Sequence, residues 1–200
     1  MNSTALAPRL PILAQRRRSR LLRTETDERL VALVRKGHDA AFEVLVERYE
    51  HRLVVFSRNM VRSSEDARDV VQEVFASAHR AMRRDERPIH VKAWLYQIAR
   101  NRCLNHLRRP QPQGVDSMDV FEAAVSSAAE TAGSRADLQD LVEDVQQLPE
   151  TQRTALVLRE MEGLSYDQIA TVMDKTVPAV KSLLVRARVS LAEKAMERAA

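Results

Sequence analysis

Apolar residues recur at helical spacing through most of the chain, and polar breaks divide the pattern into segments. Leu-rich positions after Asp27 predict a short helix over 27–34, closed by Lys36-Gly37. Phe42, Leu45, Val46, Tyr49, Leu53 and Phe56 then mark one face of a longer helix over Asp39–Val61. Ala67, Val70, Val71, Val74, Phe75 and Ala78 form an apolar stripe along a helix over 65–82, with Ser64 as its cap. Pro88 interrupts the pattern, so 83–90 is expected as a loop. A helix over 91–107 follows, with Trp94, Leu95, Ile98 and Ala99 inward, and Pro110 ends the block. Periodicity resumes at Ser134, the expected cap of a helix burying Leu138, Leu141, Val142, Val145 and Leu148. Pro149 restarts the chain into a helix over 150–161.

The most informative stretch is GLSYDQIATVMDKTVPAVKSLLVRAR, from Gly163 to Arg188. Gly163 enters the left-handed region after a helix end without a Cβ penalty. Ser165 and Gln168 have capping-box spacing, and Ile169, Ala170 and Met173 share one face of the helix they start. Asp174-Lys175 makes a tight turn, since Asp tolerates a left-handed backbone. Thr176 caps a second helix with Pro178 in its first turn, where a missing N–H costs nothing. There Val180, Leu184, Ala187 and Leu191 turn inward, leaving Lys181, Ser182, Val185 and Arg186 outside. A short helix, a tight turn and a second helix with a basic, small-residue outer face make a helix-turn-helix, whose second helix enters the DNA major groove. The same outline also suits two helices paired only for packing; the basic face and the small Ala170 at the crossing favour DNA.

Composition narrows the class. Charged residues make up 30% and aromatic residues 4% of 200, with four glycines, which favours an all-α fold. One cysteine rules out an intramolecular disulfide framework and suits a reducing compartment. No apolar run reaches the roughly 18 residues of a membrane span, so a cytoplasmic chain without membrane insertion is expected. The domain expectation is a basic arm over 1–25, a helical domain over 26–109, a linker over 110–134 and a helix-turn-helix domain over 135–200. The arm carries Arg9, Arg16, Arg17, Arg18, Arg20 and Arg23 with no acid before Glu25. It reads as a disordered segment able to touch phosphates, and its composition also fits a transit peptide. The linker is rich in Ser, Ala and Pro and net acidic, through Asp116, Asp119, Glu122 and Glu130. Extended, it spans at most roughly 90 Å, more than two turns of B-DNA at about 34–36 Å each.

The net charge of +4 conceals a reversal of sign. Opposite the stripe of the 65–82 helix stand Asp66, Asp69, Gln72 and Glu73. A charge run is usually a solvated face; on a DNA-binding chain an acidic one better addresses a protein. From Arg80 to Arg109, nine cations stand against only Asp85 and Glu86. Gln97, Asn101, Asn105 and Arg108 share a face of the 91–107 helix. Amides suit base edges and arginines suit phosphates, so this helix and the loop before it fit unstacked single-stranded bases. An ordinary polar face on a basic helix fits the spacing equally well. Cys103 and His106 lie three apart, but two ligands do not close a metal site. No glycine-rich phosphate loop, nucleophile elbow or close carboxylate pair is visible, so neither catalysis nor a cofactor is expected.

Three stretches resemble one family: DARDVVQEVFASAHR from Asp66, AWLYQIARNRCLNHLRR from Ala93, and LPETQRTALVLREMEGLSYDQIATVM from Leu148. In this order they resemble bacterial RNA polymerase sigma factors of the extracytoplasmic function group. The resemblance covers about residues 26–109 and 135–195 and implies two helical domains that bind core polymerase and promoter DNA. It implies that Asp66, Asp69, Gln72 and Glu73 bind the polymerase clamp. It implies a −10 reader with Asn101 capturing a flipped base, among Arg84, Arg87, His90, Lys92, Gln97, Arg100, Asn105 and Arg108. It implies a −35 reader comprising Thr176, Lys181, Ser182, Val185, Arg186 and Arg188, on a domain that also meets the polymerase flap. A membrane-bound or other anti-sigma protein is the regulator expected by analogy. Segments that larger sigma factors add before the first domain and between the two are not expected here.

This chain departs from the family where Pro178-Ala179 stands for a frequent Gly-Thr and Leu183 for a frequent Arg. A −35 sequence cannot be transferred from a relative on that basis. A stand-alone regulator of the LuxR type shares the GLS-x-x-x-I-A core but requires a receiver or ligand domain upstream. A helical nucleic-acid enzyme requires a metal or acid–base constellation that the sequence lacks.

Overall fold

The computed structural model describes residues 21–61, 63–108 and 135–199, the side chains of 135–139 and 199 excepted. Residues 1–20 of the basic arm, Arg109, the 110–134 linker, the Ser134 cap and the Leu138 side chain lie outside the described residues. Among the described residues every regular element is helical, as the all-α reading requires.

Four helices build the N-terminal half: α1 Asp27–Arg35, α2 Asp39–Val61, α3 Ser64–Arg84 and α4 Val91–Arg108. The Thr26 hydroxyl caps α1 by accepting the Arg29 N–H at 3.4 Å. Gly37, at φ 86°, turns the chain into α2 where a side chain would be strained. The α3 cap is Ser63 rather than Ser64: its Oγ accepts the Asp66 N–H at 3.3 Å. That helix runs to Arg84, so the loop before α4 is shorter than its composition suggests. Its last turn, Arg83-Arg84, sits where cations favour the helix dipole.

The stripes meet as their spacing predicts. Leu30, Val34, Leu45, Leu53, Phe56, Val74, Leu95 and Ala99 are all buried. Phe56 and Tyr96 pack edge to face, with centroids 5.1 Å apart. A polar tie adds specificity: Arg48 and the Tyr49 hydroxyl both donate to the Asp27 carboxylate, joining α2 to the start of α1.

The C-terminal half comprises α5 Arg135–Gln147, α6 Glu150–Leu156, α7 Tyr166–Met173 and α8 Val177–Ala199. The helix predicted over 150–161 is not uniform. After Leu156 it widens into a π turn, Val157–Met161. There the Glu162 N–H donates to the Val157 carbonyl at 3.1 Å, five residues back. Gly163, at φ 66°, then releases the chain into α7. Leu141 corrects the inward assignment for α5: it is 48% exposed, while Leu148 is buried. Asp144, on the same helix, is buried because Lys194 and Arg198 of α8 meet its carboxylate.

Candidate nucleic-acid and polymerase interface

The helix-turn-helix is fixed by local chemistry. The Ser165 Oγ accepts the Gln168 N–H at 3.2 Å, while the Gln168 side chain accepts the Ser165 N–H at 2.9 Å. This completes the capping box. Asp174 ends α7 in the left-handed region, at φ 53° and ψ 53°. The Thr176 Oγ1 accepts the Ala179 N–H at 3.4 Å to start α8. Ile169, Ala170, Met173, Val180, Leu184 and Ala187 lock the two helices together.

On that frame α8 shows Lys181, Ser182, Val185, Arg186 and Arg188 to solvent, with Thr176 exposed at its start. Val185 is 57% exposed. Arg186 lies along its own helix, Nε donating to the Ser182 carbonyl at 3.3 Å. Arg188 pairs with Glu160 at 2.6 Å. Leu183 is buried, so the residue standing for a frequent Arg serves packing in this chain. Tyr166 is not singled out by the sequence pattern. Arg159 lies 4.8 Å and Lys181 5.6 Å from its ring centroid, placing two cations on the edge of the α8 face. Helical spacing could not find this group, because it joins the π turn, α7 and α8.

Asp69 and Gln72 project freely into solvent from α3, but two other acids of that face carry structural contacts. Glu73 accepts from Arg102 at 3.0 Å, and the same guanidinium donates to the Ser77 hydroxyl at 2.8 Å. Asp66 lies 3.4 Å from His106. These contacts bind α3 to α4. His106 therefore faces a carboxylate, while Cys103 is buried with its thiol pushed up to about 11 by desolvation.

The loop over 85–90 is ordered by Asp85, which accepts the Arg87 backbone N–H at 2.9 Å and its Nε at 2.8 Å. The Arg87 hydrogen bonds hold the Asp85 carboxyl down to about 2. Arg35 donates to the Arg87 carbonyl at 2.6 Å, fixing the loop to α1. Arg84, Arg87 and His90 are exposed there. Along α4 the predicted face divides. Asn101, Asn105 and Arg108 are exposed, whereas Lys92, Gln97 and Arg100 are partly covered.

The cover is the C-terminal half, since α4 packs against α7. Gln97 donates to the Thr171 carbonyl at 3.2 Å, and Arg100 stands 4.0 Å from Glu150. Lys92 donates to the Glu162 carbonyl oxygen and lies 3.6 Å from its carboxylate. Arg52 of α2 completes the group, 3.1 Å from the same carboxylate. Burial lowers the Lys92 pKa, as does the neighbouring Arg52.

Residues 45–112 match the Sigma-70 region 2 model and residues 138–191 the Sigma-70, region 4 model. The chain is 39% identical to the RNA polymerase sigma-H factor of Pseudomonas aeruginosa, over 88% of this chain and 97% of that one. It is 37% identical to the ECF RNA polymerase sigma-E factor of Escherichia coli strain K12, over 84% and 94%. Among solved structures it resembles CnrH in complex with the cytosolic domain of CnrY, with a TM-score of 0.62 and 27% identity over 84% and 96%. It shares its fold with the sigma factor RpoE, solved with the anti-sigma factor NepR from Bartonella quintana, at a TM-score of 0.60, with 24% identity over 78% and 96%.

Proposed function

As the chain belongs to the extracytoplasmic function group of the sigma-70 family, we infer that it binds core RNA polymerase, selects promoters and assists their opening. It supplies sequence choice while polymerase carries out the chemistry. The LuxR-type reading is not favoured, because the N-terminal half matches sigma region 2 rather than a receiver or ligand domain.

The observation that carries the residue assignment is the α8 face. A capped, tightly turned pair of helices shows Lys181, Ser182, Val185 and Arg186 outward together. In this reading α8 lies in the major groove at −35, with Arg186 and Lys181 reaching base edges or phosphates and Val185 offering apolar contact. Thr176 and Arg188 flank that contact. Asn101 and Asn105, with Arg84, Arg87, His90 and Arg108 around them, receive strand-separated bases at −10. Lys92, Gln97 and Arg100 join them once α4 is uncovered. Asp69 and Gln72, with Asp66 and Glu73 behind them, address the polymerase clamp, and the C-terminal domain meets the flap.

Among the described residues no helix is long and apolar enough to cross a membrane, which fits work at the cytoplasmic transcription machinery. An anti-sigma protein is the expected regulator, since RpoE is held by the anti-sigma factor NepR and CnrH by the cytosolic domain of CnrY in the two similar structures. Run-off transcription on genomic DNA with purified core polymerase tests the function. Discrete starts that require the chain support it; transcription unchanged by the chain refutes it.

A further inference from the structure

The loop ahead of α4 has little support from its own backbone. No backbone–backbone hydrogen bond forms within residues 86–89 among the described residues, and Pro88 has no N–H to offer. Side chains therefore decide its shape. Ile89 packs half-buried against the core. Asp85 accepts the Arg87 backbone N–H at 2.9 Å and the Arg87 Nε at 2.8 Å, and Nη2 donates to the same carboxylate. The remaining tie comes from far along the chain. Arg35, in the last turn of α1, donates Nη2 to the Arg87 carbonyl at 2.6 Å.

Arg35 is an unusual donor. Its Nε is buried without a hydrogen-bond partner, although an arginine at a helix end can swing its whole guanidinium into water. The Arg87 carbonyl and the nearby charge of Asp85 hold it inward. The Arg87 hydrogen bonds dominate in keeping the Asp85 carboxyl low, and Arg35 adds to them. Glu28 stands two turns earlier on the same face of α1. Its carboxyl, held low by its own N–H and the Thr26 hydroxyl, also feels His90. Two turns of helix measure about 10 Å, and the extended step from Arg87 to His90 reaches about the same. One face of α1 thus runs beside the loop.

We propose that Arg35 is a positioning residue for the single-strand reader, holding the loop, together with Asp85, in one form before DNA arrives. The proposal rests on the −10 role given above to the loop and α4. A base leaving the duplex then meets a loop already shaped, with Arg87 aimed by Asp85 and its Nη1 end left for DNA. A loop that visits several forms binds only in proportion to the competent fraction, and ordering it at the moment of binding draws on the contact energy. Arg35 lies ahead of the residues 45–112 that match the region 2 model. The reader therefore depends on a residue outside that match.

The test uses full-length wild type, Arg35→Ala, Arg35→Lys and Asp85→Ala. Hydrogen exchange in the free chain reads the peptide covering residues 85–90. In holoenzyme, fluorescence anisotropy reads a single-stranded oligonucleotide carrying the −10 non-template strand of a promoter mapped by run-off transcription. A strand with its −10 bases scrambled is the comparison. Arg35→Ala and Asp85→Ala cut the brace from different elements, and both should speed exchange at 85–90. Exchange in α2, circular dichroism and pull-down of core polymerase should stay as in wild type. Both variants should weaken binding of the mapped strand by roughly three- to tenfold and narrow its advantage over the scrambled one. Arg35→Lys still offers a charged N–H to the Arg87 carbonyl and should recover most of the affinity. If Arg35→Ala loses helix content, Asp85→Ala, outside α1, decides alone. Unchanged exchange at 85–90 overturns the brace. Faster exchange with wild-type affinity and discrimination overturns the positioning role, as does an Arg35→Lys variant as weak as Arg35→Ala. Failure of the promoter reading looks different: wild-type holoenzyme then gives no discrete starts and no preference between the strands, and the proposal falls with it.

Discussion

Two helices carry most of the residues assigned to DNA, and they are held in opposite ways. The outer face of α8 is open: Ser182, Val185 and Arg186 point to solvent, on a helix anchored by Val180, Leu184 and Ala187 beneath. The corresponding face of α4 is partly closed, with Lys92, Gln97 and Arg100 engaged by the C-terminal half. A duplex reader can be displayed permanently, since duplex DNA offers its major groove at all times. A reader of unstacked bases has no target until strands separate.

The contrast between α8 and α4 is tested most severely from outside both helices. If α3 docks the chain on polymerase, reversing one exposed charge there disables both readers at once. Asp69→Arg should cost several kcal/mol of core binding through like-charge juxtaposition. Pull-down of core polymerase and transcription should both be lost, with melting within about 0.5 kcal/mol of wild type. Asp69 is the clean probe, because changing Glu73 also removes its contact with Arg102. Retained core binding would remove α3 from the interface.

The next effect isolates α8. Arg186→Ala should cost about 1–3 kcal/mol at the preferred −35 site and relax specificity there, as measured by promoter competition. Unchanged promoter choice would mean that α8 docks by another face. A smaller effect concerns the frame. Ser165→Ala removes the cap of α7 and should destabilise the C-terminal half by about 1 kcal/mol, visible in thermal melting. It should leave oligonucleotide binding by α4 unchanged; an equal loss there would mean that the two readers are not separable.

The helix-turn-helix is legible in the sequence because its signals are local. Ser165 and Gln168 specify a start, Asp174 a left-handed turn and Thr176 a restart, and each is realised within four residues. Apolar periodicity likewise locates the cores. It fails at Leu141, which has helical spacing but is 48% exposed. It also gives no warning of the π turn, because Val157–Met161 reads as an ordinary helical sequence. The partner of Lys92 is invisible for the same reason. Nothing near Lys92 in sequence marks Glu162, and a charge pattern read along one helix cannot anticipate a carboxylate from another domain.

Promoter recognition, on this reading, divides between α8, which finds the promoter as duplex, and α4, which holds it open. Permanganate footprinting of the −10 thymines, at holoenzyme concentrations that saturate the −35 element, separates those tasks. With Asn101→Ala the expected outcome is full −35 protection and strongly reduced thymine reactivity: a promoter bound but not opened. Full thymine reactivity at −10 in that variant, or −35 protection lost in step with it, would contradict the division.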